Sequence, residues 1–168
     1  MMTMKRFAVM ILALMLMTAA SALADNALLL VELPQDVQMV EDVQFDDGDF
    51  IQTYQAGGVT VQLLRYAAFD MSIDELIGSE WTGAQNVTVL PLDSVGGYPA
   101  SGVQLSCAQE GAGMLDVTLV RVDTGSGVLV FEAAWAQGDA QAAAAVQAMM
   151  DSMDVLNVDA VASEAEVG

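Results

Sequence analysis

Glycine interrupts this chain at five turn-like sites. Asp47-Gly48, Gly57-Gly58, Gly96-Gly97, Gly111-Ala112-Gly113 and Gly125-Ser126-Gly127 each stand between two stretches of apolar and β-branched residues. Glycine accepts positive φ without steric cost, so such sites are where a chain reverses sharply. The stretches between them alternate with a period of two, which is the period of a strand. Residues 50–54 set Phe50, Gln52 and Tyr54 against Ile51 and Thr53. Residues 59–66 place Val59, Val61 and Leu63 on one face, and residues 128–135 place Leu129, Phe131, Ala133 and Trp135 on one face. Residues 102–108 and 114–122 read as two further strands of this series. Such a chain makes antiparallel strands joined by tight turns.

The flanking segments are less regular. Residues 28–33 (LLLVEL) form a short apolar strand stopped by Pro34. Residues 37–45 mix apolar and acidic positions, and a strand there is expected to bury Val37, Met39, Val43 and Phe45. Residues 87–95 are strand-like, with Pro91 marking an edge or a bulge, because proline cannot donate to a ladder.

Two segments change period. In MSIDEL, Ser72 followed by Glu75 is a capping box, and Met71 and Leu76 hold the positions of a hydrophobic staple. A short helix is expected over 73–77, ending near Gly78, with Trp81 in the same core. Asp139 then stands as an N-cap for a helix over 140–153. Its Ala142, Val146, Met149, Met150 and Met153 fall on one stripe. Methionine adapts to irregular gaps, so this stripe reads as core filler. The order of elements predicts an α+β fold: a central antiparallel sheet with helices packed on it, an α-β-α sandwich.

The N-terminus does not belong to that fold. Lys5 and Arg6 precede an unbroken apolar run over 7–17, and small residues follow, ending in Ala22-Leu23-Ala24. This is the layout of a secretory signal peptide. An uncleaved anchor would need about 20 apolar residues, slightly more than the segment offers. The expected organisation is a signal peptide over 1–24, one domain over 25–156 and a disordered acidic tail over 157–168. The mature chain is expected outside the cytoplasm, secreted or periplasmic, with no membrane span.

Charge narrows the partners. The whole chain carries −19. Without Lys5 and Arg6 that becomes −21, with Arg65 and Arg121 the sole cations against 23 acidic residues. Nucleic acid and anionic lipid would be repelled. The expected partner is an extracytoplasmic protein or a cell-surface component.

The residue types also limit the chemistry. The chain has no histidine, so Ser-His-Asp and Cys-His arrangements are excluded. Its single cysteine, Cys107, cannot close an internal disulfide and reads as a small buried hydrophobe. No zinc set, phosphate loop or cofactor motif is present. FDDGDF, residues 45–50, concentrates three aspartates around Gly48. A calcium loop needs six to eight oxygen ligands with alternating acids and a later glutamate. Here Asp46 and Asp47 are adjacent and Tyr54 occupies the later position, so a hairpin turn over Asp47-Gly48 is expected, with no dedicated metal site. Arg65 and Arg121 are either surface ion-pair partners or a paired anchor for an anion.

The layout LLLVELP, MSIDELIG, Gly-Gly-Tyr-Pro-Ala, two hairpins and AAAAVQAMMDSM resembles the PsbP-like superfamily, in its secreted bacterial branch, over residues 28–156. The resemblance implies the α-β-α sandwich and binding of other macromolecules without enzyme activity. It transfers no site residue. The sequence therefore points to a secreted non-enzymatic binding or accessory domain, with catalytic residues none, cofactor none, and binding residues undefined. The alternatives are a carboxylate-dependent glycan hydrolase and a calcium-dependent surface module built on the acids of 41–49.

Overall fold

The computed structural model describes residues 27–66 and 71–157; the expected leader and the tail beyond Asn157 lie outside the described residues. An eight-stranded antiparallel sheet dominates it, in the order β2(Gln38–Gln44), β3(Phe50–Ala56), β4(Val59–Tyr66), β9(Val128–Ala136), β8(Gly113–Asp123), β7(Tyr98–Gln109) and β5(Gln85–Val89). The two-residue β6(Ser94–Val95) pairs the start of β7. The hairpins fall where the glycines put them. Ala56 faces Val59 across Gly57-Gly58, and Gln109 faces Gly113.

A second sheet has two strands, β1(Ala27–Leu30) and β10(Asp154–Asn157), with Ala27 opposite Asn157. It joins the two ends of the described chain. The β6–β7 turn presses against it. A Cβ on Gly96, whose φ is +57°, would stand 2.6 Å from the Val155 backbone nitrogen. Only glycine fits there, for backbone angle and for space alike.

The helices are short. α1(Ile73–Glu80) begins on the expected capping box: the Ser72 hydroxyl accepts from the Glu75 amide, and the Glu75 carboxylate accepts from the Ser72 amide at 2.8 Å. Met71 packs against the cluster that contains Leu76, the two positions of the expected staple. The helix continues through Gly78 to Glu80, beyond the expected end. α2(Ala140–Asp151) starts at Asp139, whose Oδ1 accepts from the amides of Gln141 and Ala142. Ala142, Val146 and Met149 are buried, with Met150 and Met153 packed at the margin, so the methionine stripe is core.

The sheet buries both faces, and alternation along β9 divides the core. Leu129, Phe131, Ala133 and Trp135 join Tyr54, Val59, Val61, Val120 and Val122 beneath α2. Val128 and Val130 lie on the other face with Leu64 and Leu76, and Leu105, Val117 and Leu119 lie there under Trp81.

The expected α+β sandwich is corrected by this architecture. Strands take 54% of the described residues and helices 16%, so the fold is mainly β. The reason lies in what covers the faces. Over the β9 face that carries Phe131, a helix of 12 residues covers part, and Leu29 and Val155 of the β1–β10 ribbon and Leu90 and Leu92 of an irregular segment cover the rest. One three-turn helix and a ribbon replace a helical layer. The second correction concerns β2. Val37 and Val43 are half-buried, but Met39 is 41% and Phe45 49% exposed. The periodicity there is real, yet β2 is the edge strand of the sheet among the described residues. The strand expected over 87–95 is likewise broken: β5 stops at Val89, and Leu90 to Asp93 separate it from β6.

Candidate functional site

On the α1 side of the sheet a row of polar side chains crosses four neighbouring strands. Pairing puts Glu41 of β2 opposite Thr53 of β3, Thr53 opposite Gln62 of β4, and Gln62 opposite Glu132 of β9. Directly opposed residues share a face, so these four stand in line. The Thr53 hydroxyl donates to Glu41 Oε2 at 3.1 Å, and Gln62 Nε2 donates to Thr53 Oγ1 at 3.3 Å. At the inner end, Trp81 Nε1 donates to Glu132 Oε2 at 3.1 Å. The row runs from an open edge to a buried carboxyl.

Glu132 is 7% exposed, the sole buried acid among the described residues. Burial pushes its carboxyl up to about 7. The Trp81 hydrogen bond opposes that rise, and the neighbouring Glu80 charge adds to it. Tyr66 of β4 is also raised, by burial first and then by the charges of Glu80, Glu132 and Asp49. Glu80, Glu132 and Tyr66 thus share one electrostatic neighbourhood at the C-terminal end of α1. Trp81, the residue that closes α1, locks the helix end to β9 through an indole hydrogen bond.

Chemically the row is an acceptor surface. Its carboxylates and amide can receive hydrogen bonds from hydroxyl, ammonium or guanidinium groups. α1 and Trp81 cover the β7, β8 and β9 part of this face, and Leu76 reaches Leu64 of β4. Toward β2 the positions Gln38, Glu41 and Gln55 are exposed, and Thr60 and Gln62 are half-buried.

The sequence-derived candidates fall out as follows. Arg65 and Arg121 lie on opposite faces, because Arg65 is paired with Leu129 and Arg121 with its neighbour Val130. They do not form a paired anchor. Arg65 is 7% exposed; Arg121 donates through Nε to the Met71 carbonyl and meets Asp123 at 3.8 Å. FDDGDF is a hairpin loop: the Phe45 amide donates to the Asp49 carbonyl at 2.9 Å, and the Gly48 amide to the Phe45 carbonyl at 3.1 Å. Three residues, Asp46, Asp47 and Gly48, make the reversal, one more than expected, with Gly48 at φ +91° as the bulge residue. Glu41 and Asp42 project to opposite faces of β2, as neighbours on a strand must. Among the described residues no group of three His, Cys, Asp or Glu side chains gathers in metal-holding geometry. Cys107 is buried, and its thiol lies 3.5 Å from the Thr82 carbonyl.

Sequence reasoning missed Glu132. The signal was present: residues 128–135 are apolar except for this one acid. A strand apolar on both faces is covered on both faces, so an acid within it must be buried.

No protein-family model matches the chain, the PsbP-like superfamily included, and no curated protein matches it in sequence. Among solved structures the chain is similar to LpqN, a protein involved in cell envelope biogenesis of Mycobacterium tuberculosis. The identity is 11% and the TM-score 0.46, over 80% of this chain and 87% of that one. A likeness this distant assigns neither family nor activity. No helix among the described residues is long and apolar enough to cross a membrane.

Proposed function

We propose that the protein is an extracytoplasmic, non-enzymatic binding domain that engages a cationic partner on the polar face of β2, β3 and β4. One observation carries this reading: among the described residues every exposed charged side chain is a carboxylate. Arg65 is buried and Arg121 half-buried, so among the described residues no fully exposed cation competes. Such a surface attracts basic segments from a distance and repels anions. The Glu41–Thr53–Gln62 row supplies fixed acceptors within that field. The leader-like start of the sequence supports a site of action outside the cytoplasm.

The test uses a lysine-containing peptide and its glutamine counterpart, titrated calorimetrically into the protein. The expected result is binding of the lysine peptide alone, weakening as salt rises, and weakened several-fold by Glu41→Gln but not by Asp151→Asn on α2. Equal loss from both variants means that net charge alone attracts the peptide, which overturns the assignment of the site.

A second reading rests on Glu132. A carboxyl raised to about 7 beside the Glu80 carboxylate has the protonation state of a general acid. Turnover of a glycan substrate that disappears in Glu132→Gln would favour it over the binding reading.

A further inference from the structure

The β3–β4 hairpin ends beside an open cleft of about 390 Å³, lined by Asp36 and by residues 55–60. The local sequence holds it open from both sides. At the mouth the Pro34 carbonyl accepts from the Val37 amide at 3.2 Å, and Leu33 and Val37 pack on the core at either end of that turn. The backbone of Asp36 is thereby fixed, with the residue exposed. At the hairpin, Gly57 and Gly58 make a two-residue turn at φ +55° and +81° and add no side chain. A Cβ on Gly57 would meet nothing within 4 Å.

The lining has two kinds of surface. Ala56 to Val59 bring bare backbone and apolar side chains, whereas Asp36, Gln55 and Thr60 bring a carboxylate, an amide and a hydroxyl. Gln55 is opposite Thr60, and Thr60 is opposite Ala134, which packs in the core on the α1 side. Directly opposed residues share a face, so Gln55 and Thr60 stand on the face that carries Glu41, Thr53 and Gln62. They lie two residues along their strands from Thr53 and Gln62, about 7 Å. The cleft continues the polar row toward the hairpin end.

An apolar floor with one carboxylate at its mouth matches a side chain divided in the same way, a long aliphatic stem that ends in a cation. We infer that this cleft is the anchor pocket for one lysine or arginine side chain of the cationic partner, with the stem along Ala56 to Val59 and the charged head at Asp36, beside the acceptors of Gln55 and Thr60. The inference rests on the cationic-partner reading and gives it a specific contact. Charge selects the occupant. An anion meets Asp36 and the carboxylate field around it. Asp139 adds to that field, with Oδ2 3.7 Å from where a Gly58 Cβ would stand. A neutral apolar side chain would cover Asp36 without pairing it, which costs desolvation. A second copy of the chain has no exposed basic side chain to offer from the described residues, since Arg65 is buried and Arg121 half-buried. The partner is therefore a different chain, with an extended segment that lays one basic residue on the row and another, two or more residues along, in the cleft.

The test follows the amide resonances of Gly57 and Gly58 by NMR while short peptides are added, with lysine, arginine or norleucine at the centre of an otherwise neutral sequence. The lysine or the arginine peptide is expected to move both resonances saturably, and the norleucine peptide is not. Asp36→Asn, at an exposed turn position outside every strand and helix, is expected to weaken that binding about threefold, as loss of one exposed ion pair does. Glu41→Gln should leave the glycine shifts in place. Norleucine binding as well as lysine overturns the inference, because the head then contributes nothing. Shifts confined to Thr53 and Gln62, weakened by Glu41→Gln and not by Asp36→Asn, overturn the pocket and leave the cationic-partner reading standing. No shift anywhere with either basic peptide overturns both.

Discussion

The two faces of β9 are both dry, and they are dry in different ways. Toward α2 it presents Leu129, Phe131, Ala133 and Trp135, all apolar. Toward α1 it presents Val128, Val130, Glu132 and Ala134, and one of these is an acid held by an indole. The first face is packed with apolar β9 side chains, and its buried Tyr54 is pushed up to about 12 by burial and then by the Asp42 charge, so it stays neutral across the ordinary pH range. The second face contains a group whose charge state depends on its burial, so solution conditions reach the core through it. A sheet of this kind divides its labour: one face sets stability, the other makes stability conditional.

The largest effect should come from emptying the packed face. Phe131 is fully buried, and Phe131→Ala is expected to cost about 3–5 kcal/mol, read as a lowered midpoint in urea. Leu76→Ala, the corresponding deletion on the α1 side, is expected to cost about 2–4 kcal/mol, since a helix of eight residues has less depth over its core. A larger loss at Leu76 than at Phe131 would reverse the division proposed between the faces.

Glu132 separates the two faces by pH. In the unfolded chain its carboxyl ionises near 4.5, and in the folded protein near 7. Between those values the folded state holds a proton that the unfolded state has released. Its stabilising effect is complete below about 4.5 and is lost as pH rises through 7. The shift corresponds to about 3 kcal/mol. Glu132→Gln keeps an acceptor for Trp81 and cannot ionise. Melting curves of the two proteins should therefore diverge between about pH 4.5 and 7, with the wild type falling more steeply. Parallel curves would remove the titration from the α1-side core.

The smallest effects lie at the helix starts. Asp139→Ala removes the acceptor for two amides and should cost about 1 kcal/mol. Ser72→Ala should cost about the same or less, because the exposed Glu75 still reaches the Ser72 amide. Both are measured as shifts in thermal midpoint.

Local features of this fold were legible in the sequence, and collective ones were not. The capping box at Ser72 and Glu75, the Asp139 cap, the hairpin glycines and the buried face of 128–135 each depend on residues close together in the chain. Met39 and Phe45 were misread because their exposure follows from β2 being last in the sheet order, which no local period reveals. The excess of helix in the expected fold has the same origin. Nothing in LLLVEL announces that it pairs with Asp154–Asn157 and takes the place of a second helix over the core. The functional row is collective too: Glu41, Thr53, Gln62 and Glu132 come from four strands and meet through register alone.

The β1–β10 ribbon has a mechanical consequence. Ala27 and Asn157 are partners at the same end of that ribbon, so tension applied through the two ends of the domain pulls the strands apart crosswise. Their hydrogen bonds then bear load one at a time instead of together. The molecule is built to open there first, like a zip, with the tight contact of Gly96 on Val155 as the next catch. Single-molecule pulling from the two ends should show an early step at low force, of about four residues from each end, before the large sheet yields.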